Sequence, residues 1–112
     1  MPVKKLIGAI RRPKALTREE GLKILVRDRF RCQYCGLDGA ASLENYLTMT
    51  VDFVLPRSLR GSKNPHNLVA ACRPCNVLKG GHRFRSLEDA KRYVLERRDE
   101  EREKWKKATA GL

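Results

Sequence analysis

The chain has 112 residues, which predicts one small domain whose thin core is of the kind often held together by a metal or disulfides. Lysine and arginine outnumber aspartate and glutamate by 25 to 13, and the formal net charge of +12 favours a polyanionic partner, most simply nucleic acid. No apolar run approaches the ~20 residues of a membrane span, and the first sixteen residues lack the apolar stretch of a signal peptide. We therefore expect a cytoplasmic protein without a membrane partner.

The N-terminal segment is expected to be a basic arm over residues 1–16, because Pro2 and Pro13 interrupt regular structure there. The basic side chains of the arm are Lys4, Lys5, Arg11, Arg12 and Lys14. This arm either contacts phosphate or is an ordinary solvated terminus.

A helix is predicted directly after the arm, over residues 18–29. Thr17 and Glu20 have the spacing of a capping box, and apolar residues follow at helical intervals.

Four cysteines form two Cys-x-x-Cys pairs. Two thiolates on one tight turn can each occupy a corner of a tetrahedron, so two such pairs predict a zinc site. Four thiolates leave no open position for water, which predicts a structural role. The alternatives are two disulfides or a redox-active pair, and disulfides are poorly supported without a secretion signal. The pairs are Cys32 with Cys35 and Cys72 with Cys75.

The segment between the cysteine pairs alternates polar and apolar residues over 47–55, which predicts a strand that Pro56 ends. Residues 57–65 are polar and are expected to form a loop. A second strand is predicted over 67–71, and residues 76–79 can form a short helix closed by Gly80 and Gly81. The order predicts a small α+β fold with a zinc-stapled ββα core.

The C-terminal segment has Ser86 as a helix cap, with Asp89 three residues later. Beyond Glu96 the helix carries mostly charged residues and no apolar stripe. We expect a charged helix over residues 86–112, following the zinc ββα domain of residues 17–85. Trp105 is expected to pack back on the domain or onto a partner.

Two oxygen-bearing side chains of the core could hold a hard cation such as Mg²⁺, with phosphate and water completing its shell. They are Asp52, on the first strand, and Asn76, directly after the last cysteine. Such a metal suits phosphodiester hydrolysis. The spacing also fits simpler roles, because an aspartate on a strand is often a hydrogen-bonding residue and an asparagine beside a cysteine often caps the turn.

The chain resembles the zinc-containing HNH endonucleases over about residues 22–82. The resemblance is carried by Val26–Gly36 around the first cysteine pair, by Thr50-Val51-Asp52-Phe53-Val54-Leu55-Pro56-Arg57-Ser58, and by Asn67–Gly80 around the second pair. It implies a ββα-metal, treble-clef-like fold with flanking N-terminal and C-terminal helices, placed at a nucleic-acid backbone. A phosphodiester hydrolase acting on DNA is the implied activity.

The same resemblance assigns roles to individual residues. Asp52 and Asn76 would hold the catalytic divalent ion, Mg²⁺ or another metal, and Asn67 would brace the loop between the strands. The family has a histidine where this chain has Phe53, and that histidine is the general base, a role that phenylalanine cannot take. The candidate substitute for the base is His66 or a metal-bound hydroxide, and the alternative role of His66 is a partly exposed loop residue.

Two functions follow from these residues. The first is a metal-dependent HNH endonuclease weakened by the loss of its base, and the second is a catalytically inactive HNH-fold module that binds nucleic acid. Phe53 favours the second, whereas the presence of both Asp52 and Asn76 favours the first. The candidate nucleic-acid-binding residues are Arg57, Arg60, Lys63, Arg73, Lys79, His82 and Arg83.

Overall fold

A computed structural model describes residues 15–112 of the chain. The basic residues predicted to form the N-terminal arm lie outside this range. The described part has α1 (Arg18–Arg27), α2 (Leu43–Leu47), β1 (Met49–Phe53), β2 (Leu68–Cys72), α3 (Arg73–Lys79) and α4 (Leu87–Thr109). None of these helices is both long enough and apolar enough to cross a membrane.

Helix α1 begins at the predicted capping box. The Thr17 side chain accepts a hydrogen bond from the Glu20 backbone N–H at 3.1 Å, and the Glu20 carboxylate accepts one from the Thr17 N–H at 2.8 Å. The helix ends two residues earlier than predicted, because Arg29 and Phe30 both adopt a left-handed backbone with φ of 56° and 55°. This sharp turn leads the chain into the first cysteine pair.

Strands β1 and β2 form a two-stranded antiparallel sheet in which Met49 pairs with Cys72 and Phe53 with Leu68. Every residue of β2 is buried, because α1, α3 and the first cysteine turn cover it. The connection between the strands contains two short 3₁₀ turns, Arg57–Leu59 and Pro65–Asn67, where the sequence predicted only a loop. Gly61 is required in it, since a Cβ there would collide with the Leu55 carbonyl.

Helix α3 follows β2 without a linker, so the second cysteine pair lies at the strand–helix junction. Cys72 is the N-cap and Cys75 lies within the helix, which begins three residues earlier than predicted. Pro74 is tolerated because it lies in the first turn, where its missing N–H has no intrahelical partner. Gly80, with a φ of 63°, ends the helix.

The main core surrounds the cysteines. It contains Tyr34, Val54 and Val69 together with Ala90 and Val94 of α4. The Ser86 hydroxyl caps α4 by accepting the Asp89 N–H at 3.1 Å, as predicted. The architecture confirms the small α+β, ββα-metal fold with flanking helices.

Candidate metal centre and nucleic-acid interface

The four cysteines form one cluster. All four Sγ atoms lie within 4.8 Å of one another, and Cys35 Sγ is 3.7 Å from Cys72 Sγ. A tetrahedron with Zn–S bonds of ~2.3 Å has S···S edges of about 3.8 Å, close to this separation. A disulfide bond would be about 2.05 Å long, and the four thiols are free. The residues therefore fit a bound metal ion, consistent with structural zinc.

The surroundings of the cluster suit thiolates. The Cys35 backbone N–H points at Cys32 Sγ at 3.5 Å, and Arg98 of α4 reaches to 3.6 Å from Cys75 Sγ. Burial lowers the pKa of Arg98, but the nearby sulfurs of Cys75 and Cys35 raise this pKa by more. Without a metal, the neighbouring sulfurs of Cys32 and Cys72 instead raise the pKa of the Cys75 thiol. Four thiolates this close therefore need a cation among them, which a zinc ion would supply.

A pocket of about 180 Å³ lies between β1 and α3. The sequence predicted Asp52 and Asn76 to share a site, and both side chains line this pocket. Phe53 and Lys79 also line it, together with Arg57 at the start of the connection. Asp52 is 5% exposed, whereas Asn76 is half-buried.

The Asp52 carboxylate already has two partners inside the protein. Its Oδ2 accepts a hydrogen bond from the Tyr34 hydroxyl, and its Oδ1 is 3.5 Å from Lys79 Nζ. Lys79 is 1% exposed and also donates to the Phe53 carbonyl at 3.0 Å. Burial raises the pKa of Asp52 and lowers that of Lys79, and burial beside Asp52 raises the pKa of Tyr34. We call this arrangement the Tyr34–Asp52–Lys79 triad.

The triad does not fit a divalent ion on Asp52. A metal bound to either carboxylate oxygen would have to displace the Tyr34 hydroxyl or share the carboxylate with the Lys79 ammonium. Two cations on one buried carboxylate repel each other strongly, because the surroundings have a low dielectric constant. The counter-charge that a catalytic metal would provide is already supplied by Lys79.

One protein-family model matches part of this chain. Residues 32–81 match the family model described as HNH endonuclease, a segment that contains both cysteine pairs, the sheet and α3. This segment is similar to HNH endonuclease domains, and we call residues 32–81 the HNH domain. No curated protein and no solved structure matches the chain.

The position at which the resemblance implies a general base is apolar in this chain. Phe53 packs with Ile24 and Leu68 in a small hydrophobic cluster. His66, the candidate substitute, is exposed in the second 3₁₀ turn and lines a different depression, together with Arg83. Among the described residues that line the Asp52 pocket, no side chain is a histidine. The structure thus gives no support to His66 as the base for a reaction at Asp52.

Asn67 is placed where the resemblance implies. Its side-chain oxygen accepts from the Leu55 N–H at 2.8 Å, and its amide donates to the carbonyls of Leu55 at 3.1 Å and Ser62 at 2.9 Å. These three bonds hold both ends of the strand connection. Asn67 therefore stabilises the conformation of the connection, and its hydrogen bonds are not to residues of the triad.

Of the seven predicted nucleic-acid contacts, one is buried, one is paired with an acidic residue and five are half-buried or exposed. Lys79 was predicted to face the backbone, but its ammonium is buried in the triad and cannot reach a phosphate in this conformation. Lys63 forms an ion pair with Glu20 at 2.9 Å, and a backbone hydrogen bond from Thr17, with Lys63, lowers the pKa of Glu20 to about 2. The remaining side chains are half-buried or exposed and stay predicted contacts: Arg57, Arg60, Arg73, His82 and Arg83.

Several residues with clear roles were missed by sequence reasoning. The hydrogen bond from the Tyr34 hydroxyl to Asp52 has no local sequence signal. Arg27 donates to the carbonyls of Pro65 at 3.0 Å and Leu68 at 2.6 Å, while Asp28 accepts from the Ala70 N–H at 2.8 Å. This Arg27–Asp28 pair pins α1 to the start of β2, and only the folded chain brings the partners together.

Proposed function

We propose that this protein binds nucleic acid, most simply DNA, through an HNH domain that does not cut it. The observation that carries the proposal is the triad: both oxygens of the Asp52 carboxylate are engaged by Tyr34 and Lys79. The neighbouring position, where the family has its base, is Phe53, which lacks a proton acceptor. The closed triad and the missing imidazole both argue against activation of water at this site.

The binding part of the proposal rests on charge and exposure. The chain has a net charge of +12, and Arg60, Arg73 and Arg83 have exposed side chains in or directly after the HNH domain. Such side chains contact phosphates without reading sequence, so we expect binding that depends on the backbone more than on base edges. The free thiols also suit the reducing cytoplasm, which we propose as the location.

A metal-dependent endonuclease is the second candidate, and one observation favours it. Asp52 and Asn76 line the same pocket, with Arg57 beside them. A nuclease would need the Lys79 ammonium to leave Asp52 when metal and substrate bind. Losing the general base alone would still leave activity reduced by ~10²–10⁴-fold.

One experiment separates the two functions: purified zinc-loaded protein is incubated with supercoiled plasmid in Mg²⁺, Mn²⁺ or EDTA, while binding is measured on a dye-labelled duplex. We expect binding at low salt without nicking under any metal condition. The matched variant is Asn76→Ala, because Asn76 is half-buried and its truncation leaves the core intact. Metal-dependent nicking that Asn76→Ala abolishes would replace our proposal by the nuclease.

A Phe53→His variant in the same assay tests the metal site separately from the base. Because Asp52 is paired with Lys79, we expect no plasmid nicking by this variant. Nicking by Phe53→His, with none by the parent, would mean that only the base is missing and that the triad opens to admit a metal. Absence of duplex binding by the folded parent at low salt would contradict the binding proposal itself.

A further inference from the structure

An apolar groove of about 610 Å³ lies between α3 and the second half of α4. It is lined by other residues of α3 than those that line the Asp52 pocket. Its walls include Pro74, Val77 and Leu78 of α3 and Trp105 of α4. Val77 is 68% exposed and Trp105 is 61% exposed, although both are large hydrophobic residues. Neither the zinc cluster nor the triad uses these side chains.

The polar residues of the groove are mostly cationic. Arg73, Arg98 and Arg102 line it, against one acidic residue, Glu101. Arg98 is directed to the zinc cluster through Cys75 Sγ, but Arg73 is an exposed residue at the N-terminus of α3. The ion pairs of Arg102 with Asp99 at 2.9 Å and of Glu101 with Lys104 at 3.1 Å are exposed, and such pairs are weak enough for a phosphate to replace.

We propose that this groove binds an unpaired base of a nucleic acid, with the base stacked on Trp105 and its phosphates held by Arg73 and Arg102. The inference rests on the proposed nucleic-acid binding and adds a preference for single-stranded segments. An exposed aromatic ring beside arginines is the arrangement by which proteins hold single strands, because every base has a face that can stack. Nucleic acid bound at the HNH domain would cross α3 to reach the groove.

Charge decides between this occupant and a second copy of the chain. Two copies would each bring a net charge of +12 to the contact, and the arginine-lined walls of the groove offer little negative charge to offset the repulsion. A nucleic acid supplies both an apolar base face for Trp105 and the negative charge that the arginines lack. We therefore assign the groove to a nucleic acid.

Trp105 is the single tryptophan of the chain, so its emission reports on this groove alone. The test titrates the zinc-loaded protein with oligo-dT, with oligo-U of equal length and with a blunt duplex, while dye anisotropy reports binding in parallel samples. Stacking is expected to quench the emission with at least one single strand, and the oligo-dT and oligo-U arms show whether a DNA strand or an RNA strand is accepted. Emission that stays unchanged while a single strand is bound to saturation would overturn the proposal.

Variants give an independent readout. Base stacking is worth enough that Trp105→Ala should weaken single-strand binding by about 5- to 150-fold, with Trp105→Phe retaining much of the affinity. The control is Leu95→Ala, which removes an exposed apolar side chain from the same helix outside the groove. Equal single-strand affinity for Trp105→Ala and the parent would overturn the stacking proposal and leave nucleic-acid binding intact.

Two further outcomes identify other failures. If neither single strands nor the duplex bind the folded protein at low salt, nucleic-acid binding fails as a whole. If the mass in solution doubles at high protein concentration, and Trp105→Ala restores the monomer, the groove is an interface between two copies. Either result would overturn the assignment of the groove to a nucleobase.

Discussion

At the scale of single residues, Lys79 determines what Asp52 can do. A buried carboxylate needs a counter-charge, and in this chain an ammonium of the same domain provides it at 3.5 Å. The Tyr34 hydroxyl donates a hydrogen bond to the other oxygen, and the Lys79 ammonium also donates one to the Phe53 carbonyl. The same aspartate that would hold a metal in a nuclease is thereby turned into part of the core that joins β1 to α3.

Lys79→Met is expected to be strongly destabilising. It removes the ammonium while keeping most of the side-chain volume, and leaves Asp52 as a buried charge without a cation. Breaking a buried pair in this way costs about 3–5 kcal/mol in the free energy of unfolding. Urea denaturation in the presence of zinc measures the loss.

The double variant Asp52→Asn with Lys79→Met is the control, because it removes both charges together. It should recover part of the stability lost in Lys79→Met, since no unpaired charge remains. A Lys79→Met protein as stable as the parent would show that the pair is not formed in solution, and the argument against a metal on Asp52 would then lose its basis.

At the scale of elements, the four cysteines join separate parts of the chain. They connect the turn before α2 to the junction of β2 and α3, and Arg98 extends the contact to α4. The main core is built around the cysteines themselves, so losing a bound metal would loosen the centre of the domain.

Removal of zinc with a strong chelator is expected to unfold the domain. Structural zinc contributes about 10–16 kcal/mol in small zinc-binding peptides, which is comparable to or larger than the whole stability of a typical small domain. Circular dichroism and a zinc-release assay on the same sample follow the loss of helix and of metal together. A fold that survives chelation but collapses with reductant alone would instead indicate disulfides.

The elements were more predictable from the sequence than the triad was. Local signals gave the caps of α1 and α4 at Thr17 and Ser86, the alternation of β1 and the pairing of the cysteines. Helix α2 was not predicted, although Ser42 caps it by accepting the Asn45 N–H. The spacing of the ion pairs along α4 was not predicted either, and several join residues three apart, such as Arg97 with Glu100 at 2.7 Å.

The inward position of Lys79 could not be predicted, because it depends on where α3 lies against β1. In a seven-residue helix the buried face is set by tertiary packing, and lysine is among the residues least often buried. A Lys79 in the last turn before Gly80 looks like a surface cation from the sequence. Burial of the Lys79 ammonium is tolerated because the Asp52 carboxylate of β1 lies 3.5 Å from it.

At the scale of the whole molecule, net charge and local charge make different predictions for binding. A net charge of +12 attracts any polyanion, whichever part of the surface meets it. A defined interface instead depends on particular exposed side chains, such as Arg83, which lines one depression with His66 and Asn67. The C-terminal turn of α4 offers a comparison, because Lys106 is exposed there and pairs with Glu103 at 3.4 Å.

The salt dependence of duplex binding distinguishes attraction by the net charge from binding at a defined interface. Affinity should fall linearly on a log–log plot against salt, with a slope of about −0.9 for each phosphate contacted. Arg83→Ala is expected to reduce that slope by about one, whereas Lys106→Ala should leave it unchanged, although each variant removes one positive charge. Dye anisotropy over a salt series measures both slopes. An equal reduction in both variants would mean that duplex DNA responds to the overall charge of the chain and that the HNH domain presents no defined binding face.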